Sequence, residues 1–143
     1  MSVEQWEKSH NELLDQINSI MDKYSHTPHE LARAEYLYTR ARAICYRIVG
    51  HYKAEFKLYE ARAEQMQARG YEKIRKGEAE GFAEKFKSST DAQYMSRLTK
   101  GIQLENAAKP EGMYDQWRGI AESYRDAANA IKDMINTAEN QGG

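Results

Sequence analysis

Apolar residues recur along this chain at steps of three and four, a pattern that predicts helix and argues against sheet. Val3, Trp6, His10, Leu13, Ile17, Ile20 and Tyr24 hold a heptad spacing for about three repeats, with Leu14 and Met21 widening the stripe. Ser2 and Gln5 stand where a capping box opens such a helix. After the turn Ser25-His26-Thr27, the run Thr27-Pro28-His29-Glu30 reads as a second start. Thr27 and Glu30 can cap each other's backbone N–H, and proline at the first helical position lacks only a donor that would go unused. From Leu31 to Arg69 there is no proline and one glycine, Gly50. About 40 residues at ~1.5 Å rise predict a rod of roughly 60 Å.

The long helix has two unlike faces. At about 100° per residue, one stripe gathers Ala34, Leu37, Tyr38, Ala41, Ile44, Cys45, Ile48, Tyr52, Phe56, Tyr59, Ala63 and Met66. The opposite face carries Arg33, Tyr36, Arg40, Arg47 and His51, flanked by Arg42, Tyr46, Lys53 and Lys57. The first is a packing seam and the second a basic surface with tyrosines set into it.

Beyond Arg69 the pattern loosens. Gly70, Gly77 and Gly81 punctuate a charge-dense run, and each glycine costs a helix up to about 1 kcal/mol relative to alanine. A broken helix or mobile connection is expected over residues 70–88. Ser88-Ser89-Thr90-Asp91 then caps a third helix bearing Tyr94, Met95, Leu98 and Ile102 on one apolar face. Lys109-Pro110 is expected to end it and begin a fourth, with the heptad Met113, Trp117, Ile120, Tyr124, Ala127, Ile131 and Met134. The expected fold is all-α and one domain over residues 1–143. An N-terminal helix (1–26) and C-terminal helices (89–139) pack on a long amphipathic central helix (27–69). The arrangement is coiled-coil-like and oligomeric, because three heptad seams exceed what one short domain needs to bury.

Charge changes the picture more than composition does. The net charge of -1 conceals a basic middle: residues 1–32 hold 2 basic and 6 acidic side chains, residues 33–100 hold 15 and 9, and residues 101–143 hold 4 and 7. Such a middle suits an anionic partner. No run of about 18 apolar residues predicts a membrane span, and the first residues resemble neither a signal nor a transit peptide. A single cysteine, Cys45, excludes an intramolecular disulfide and makes a reducing cytoplasm the default.

Candidate chemistry is sparse. No Gly-rich phosphate loop, Cys pair or Ser/His/Asp context is present. His26 and His29 have ligand-like spacing but straddle a helix start without a third ligand. Glu78, Glu80 and Glu84 fall in the connection, where nothing would desolvate them. Cys45 has the neighbours of a core residue. No enzyme activity, metal or cofactor is expected.

The basic face has a plain rival explanation, since long helices commonly carry Arg and Lys only to be solvated. Against that, residues 33–53 hold five Arg or Lys and only one acid, Glu35. Cations that neutralise phosphates, interleaved with aromatics that accept any base, are what non-specific single-strand binders use. On this reading Arg33, Arg40, Arg47, Lys53 and Lys57 meet phosphate, Tyr36 and Tyr46 stack on bases, and Arg42 on the flank belongs to the same nucleic-acid-binding surface. Arg69, Lys73, Arg75 and Lys76 add a secondary, flexible contact.

The order of features resembles the phage recombination mediators of the UvsY type, over about residues 33–136. The matching features are the Lys/Arg/Tyr-rich helix through Tyr46, Lys53 and Lys57, the Gly-interrupted charged stretch, the turn Ser88 to Asp91, and a closing helix with Trp117 and Asp126-Ala127-Ala128-Asn129-Ala130-Ile131-Lys132. The resemblance implies a helical protein that assembles into a ring and binds single-stranded DNA. It also implies help in loading a RecA-like recombinase onto strands coated by a single-strand-binding protein, in the host cytoplasm. The alternative is a non-enzymatic structural or interaction protein, a virion component or an inhibitor of a host complex, whose basic face meets an acidic protein.

Overall fold

Two capping boxes set the first two helices in place. The computed structural model describes residues 1–76 and 89–142. Ser2 Oγ accepts from the Gln5 N–H at 3.2 Å, and the Gln5 side chain accepts from the Ser2 N–H at 2.7 Å. Helix α1 (Val3–Met21) follows. The same exchange between Thr27 and Glu30, at 3.1 and 3.2 Å, opens α2 (Pro28–Lys76). Glu30 also pairs with Lys23, and these contacts, that of Lys23 first, hold its carboxyl down at about 2. The third helix, α3, spans Ser89–Gly142. The described residues form these three helices and no strand, so the fold is all-α.

Three sequence expectations are corrected. First, α1 stops at Met21, where the Asp22 N–H turns back to Asn18, so Tyr24 lies beyond the heptad and is fully exposed. Second, α2 runs through Gly70 to Lys76, so residues 70–76 are helix rather than connection. The glycine penalty of about 1 kcal/mol is small enough for tertiary packing to override. Here Gly70 faces Ser96 of α3, which is 1% exposed, and a Cβ at Gly70 would sit 4.0 Å from the Ser96 Cβ. Residues 77–88, with the rest of the expected connection, lie outside the described residues. Third, Pro110 lies inside α3 instead of dividing two helices. Proline removes one hydrogen bond and crowds the carbonyl four residues back, at about 3 kcal/mol. Pro110 is buried, as is Ala107 one turn before it, so packing works against that cost.

The chain divides into two units, residues 1–51 with 113–143 and residues 52–112. In the first, α1 contributes His10, Leu13 and Ile17 to the core. The first part of α2 contributes Leu31, Ala34, Leu37, Ala41, Cys45, Ile48 and Val49, and the end of α3 contributes Trp117, Ala121, Tyr124 and Ile131. Most of the expected seams are therefore filled within one chain. Fully burying a side chain such as Ile17 or Ile48 stabilises by about 1.5–3 kcal/mol. At the centre His10 Nε2 and Tyr124 Oη lie 2.6 Å apart, the Trp117 ring meets His10 edge-on at 5.0 Å, and Tyr38 packs on Tyr124 at 5.6 Å. A second cluster, Leu31, Ala34 and Ile131, is flanked by Ile20, Met21 and Ile135.

Among the described residues of the second unit, those buried are mostly small, Ala63 from α2 and Ala92, Ser96, Ala107 and Pro110 from α3, with the larger Phe56 beside them. Lys100 pairs with Glu64. Met66, expected on the seam, is 39% exposed. Of the apolar row expected on α3, Tyr94, Leu98 and Ile102 are exposed at 62%, 47% and 62%.

Burial pushes the Cys45 thiol from 9.0 up to about 12 and the Tyr124 hydroxyl from 10.0 up to about 12. Below about pH 9 both groups are protonated in folded and unfolded chains and stability does not change on their account. Between about pH 9 and pH 12 the unfolded chain loses these protons first, so stability falls as pH rises. Urea melts at about pH 8 and about pH 11 should show a lower midpoint at the higher pH, and Cys45→Ala should reduce the difference. Equal midpoints would contradict this burial.

Candidate nucleic-acid interface

Helix α2 places the candidate residues by its own period, and its neighbours decide which remain available. In the first unit Arg33, Arg40 and Arg47 follow one another at seven-residue steps, about 10.5 Å apart along the axis. All three are exposed and border α1. Arg33 donates to Gln16 Oε1 at 3.4 Å, and the Arg40 guanidinium lies 5.9 Å from the centre of the Tyr36 ring. None of the three pairs with a carboxylate among the described residues. Tyr36, at 56% exposure, offers a ring to solvent beside Arg40.

Arg42 and Tyr46 form a separate pair on the flank. The Arg42 Nη2 donates to Tyr46 Oη at 3.3 Å, with the guanidinium 5.3 Å from the ring centre. Arg42 is half-buried, and its Nε is enclosed without an acceptor. Tyr46 remains 44% exposed. Arg42 is thus spent on positioning Tyr46 more than on reaching a phosphate.

In the second unit Lys53 and Lys57 are exposed. Lys57 reaches Glu60 at 3.5 Å and sits 5.3 Å from the centre of the Phe56 ring, so part of its charge is already answered. Arg69, Lys73 and Arg75 are exposed and lie on helix, Arg69 within the expected helix and Lys73 and Arg75 where a connection was expected. Arg69 and Lys73, one turn apart, share a face; Arg75 falls off it and is engaged in contacts of its own. Lys76 is the last residue of α2.

Between α1 and α2, beside the arginine row, lies a groove of about 440 Å³ that sequence reasoning missed. Arg40, Ala43, Ile44 and Arg47 form one wall, and Trp6, Ser9, Glu12, Leu13 and Gln16 face them from α1. The heptad assigned Trp6 to the seam, and nothing in its spacing shows that the ring stops short of full burial. That the indole N–H is enclosed without an acceptor is likewise invisible in the sequence.

Other chemistry stays sparse. Cys45 is buried with a raised thiol, which removes it as a nucleophile. His29 is exposed and His26 half-buried, and among the described residues no three His, Cys, Asp or Glu side chains gather as a metal site would need. No helix of the described residues is long and apolar enough to cross a membrane. Compared with known families, curated proteins and solved structures, the chain matches none.

Proposed function

We propose that this chain is a non-enzymatic accessory protein that binds single-stranded DNA and assembles with copies of itself. One observation carries the reading: Arg33, Arg40 and Arg47 stand in a row with the open Tyr36 ring, and no carboxylate among the described residues neutralises them. Guanidiniums held apart at helical spacing contact phosphates, and a tyrosine between them stacks on whichever base is present. The resemblance to UvsY-type mediators extends the proposal to loading a RecA-like recombinase onto strands covered by a single-strand-binding protein, in the cytoplasm of a phage's host.

Self-assembly, including a ring, is part of this proposal, but its surface differs from the one the heptads suggest. Ile131 is 3% exposed and fills the core of its own chain, so its replacement would unfold the protein before it separated copies. The exposed row Tyr94, Leu98 and Ile102 on α3 is the better surface. The same row favours the second reading, a structural or interaction protein, in which a different protein covers it.

Two measurements test these proposals. Binding of a labelled single-stranded oligonucleotide should weaken steeply with salt, with a log–log slope of about -0.7 per phosphate contact, or roughly -3 for four contacts. Arg40→Ala with Arg47→Ala should flatten that slope by about 1.4. Tyr36→Ala should weaken binding about tenfold and leave the slope unchanged, because stacking releases no counterions. An unchanged affinity and slope in the double arginine variant would remove the row as the site.

Light scattering should show the wild type larger than a monomer, and Leu98→Asp with Ile102→Asp should reduce it to a monomer of unchanged helix content. A wild-type monomer at micromolar concentration would end the self-assembly proposal.

A further inference from the structure

The groove between α1 and α2 sorts its chemistry by wall. The α2 side is cationic, with Arg40 and Arg47 at its edge and the small or aliphatic Ala43 and Ile44 between them. The α1 side is aromatic and hydrogen-bonding, with Trp6, Ser9, Glu12 and Gln16 around Leu13. A simple inorganic anion would use only the first wall and be repelled by Glu12 on the second. A group with an anionic end, a flat apolar body and N–H donors on its far edge would use both. A nucleotide has that layout.

We propose that the groove holds one nucleobase of a bound strand, stacked on Trp6, with its flanking phosphates at Arg40 and Arg47. This rests on the single-strand-binding reading and adds a base pocket to its phosphate contacts. The volume of about 440 Å³ lies within the range of small-ligand sites, roughly 300–1,000 Å³. Glu12 and Gln16 accept from exocyclic amino and ring N–H groups of the base, while the negative charge of Glu12 keeps phosphate on the arginine side. The Trp6 N–H, enclosed without an acceptor, gains one if the ring shifts as the base enters. Spacing supports the division of roles: Arg40 and Arg47 stand two helical turns apart, leaving room between them for a base to turn inward over Ala43.

The test follows oligonucleotide binding by two signals at once, anisotropy of a 5′-labelled strand and intrinsic tryptophan fluorescence. In the wild type, fluorescence should be quenched and should saturate together with anisotropy. Trp6→Phe should abolish the quench of emission excited selectively in tryptophan, with the core residue Trp117 left as the only tryptophan. Trp6→Ala, checked for wild-type helix content by circular dichroism, should weaken binding about tenfold without changing the salt slope. An abasic strand of equal charge should still bind through its phosphates but should not quench. Binding with no Trp6-dependent quench, or equal quenching by the abasic strand, overturns the base pocket and leaves the single-strand reading standing. Absence of any anisotropy change with the wild type overturns both.

Discussion

The contact between His10 and Tyr124 joins the first helix to the last, and the placement of the candidate site depends on it. Both side chains are buried, their polar atoms 2.6 Å apart, with the Trp117 ring closing one side and Tyr38 of α2 another. Leaving one partner of such a buried pair unsatisfied costs about 1–3 kcal/mol, so the pair fixes which residues of α1 face inward. Once His10, Leu13 and Ile17 are committed to the core, Trp6, Ser9, Glu12 and Gln16 are left along the arginine row. The groove is thus a by-product of how α1 is anchored.

Charge is distributed to match. Pairs form within a helix, as in Arg118 with Glu122 and Arg125 with Asp126, across the α1–α2 turn in Lys23 with Glu30, and between helices in Lys100 with Glu64. Arg33, Arg40, Arg42 and Arg47 enter none of the ion pairs among the described residues, although α1, rich in acids, lies alongside. Exposed pairs contribute little to stability, so leaving the exposed Arg33, Arg40 and Arg47 without a carboxylate costs the fold little.

The sequence made the helical class, both capping boxes and most of the α2 seam legible, because caps and periodicity are local properties. Two of its punctuation marks mislead. Gly70 and Pro110 read as helix ends, yet both lie inside helices, because packing against Ser96 and burial beside Ala107 outweigh local preference. Glycine and proline still mark something: the boundary between units falls after His51, one residue past Gly50 in α2, and directly after Gly112 in α3, two residues beyond Pro110. The basic row was legible from its period. Its division into arginines without a carboxylate, an Arg42 bonded to Tyr46 and a Lys57 paired with Glu60 was not, since each depends on a neighbour's geometry. The groove required knowing which face of α1 turns toward α2.

The central claim is that the arginine row of α2 is where a strand's phosphates sit. Arginine-selective modification with phenylglyoxal, read by mass spectrometry with and without a single-stranded oligonucleotide, tests it most directly. The account predicts that Arg33, Arg40 and Arg47 become protected, while the exposed Arg118 and Arg125 of α3 react as they do in the free protein. Equal reactivity of all five with and without the strand would contradict it.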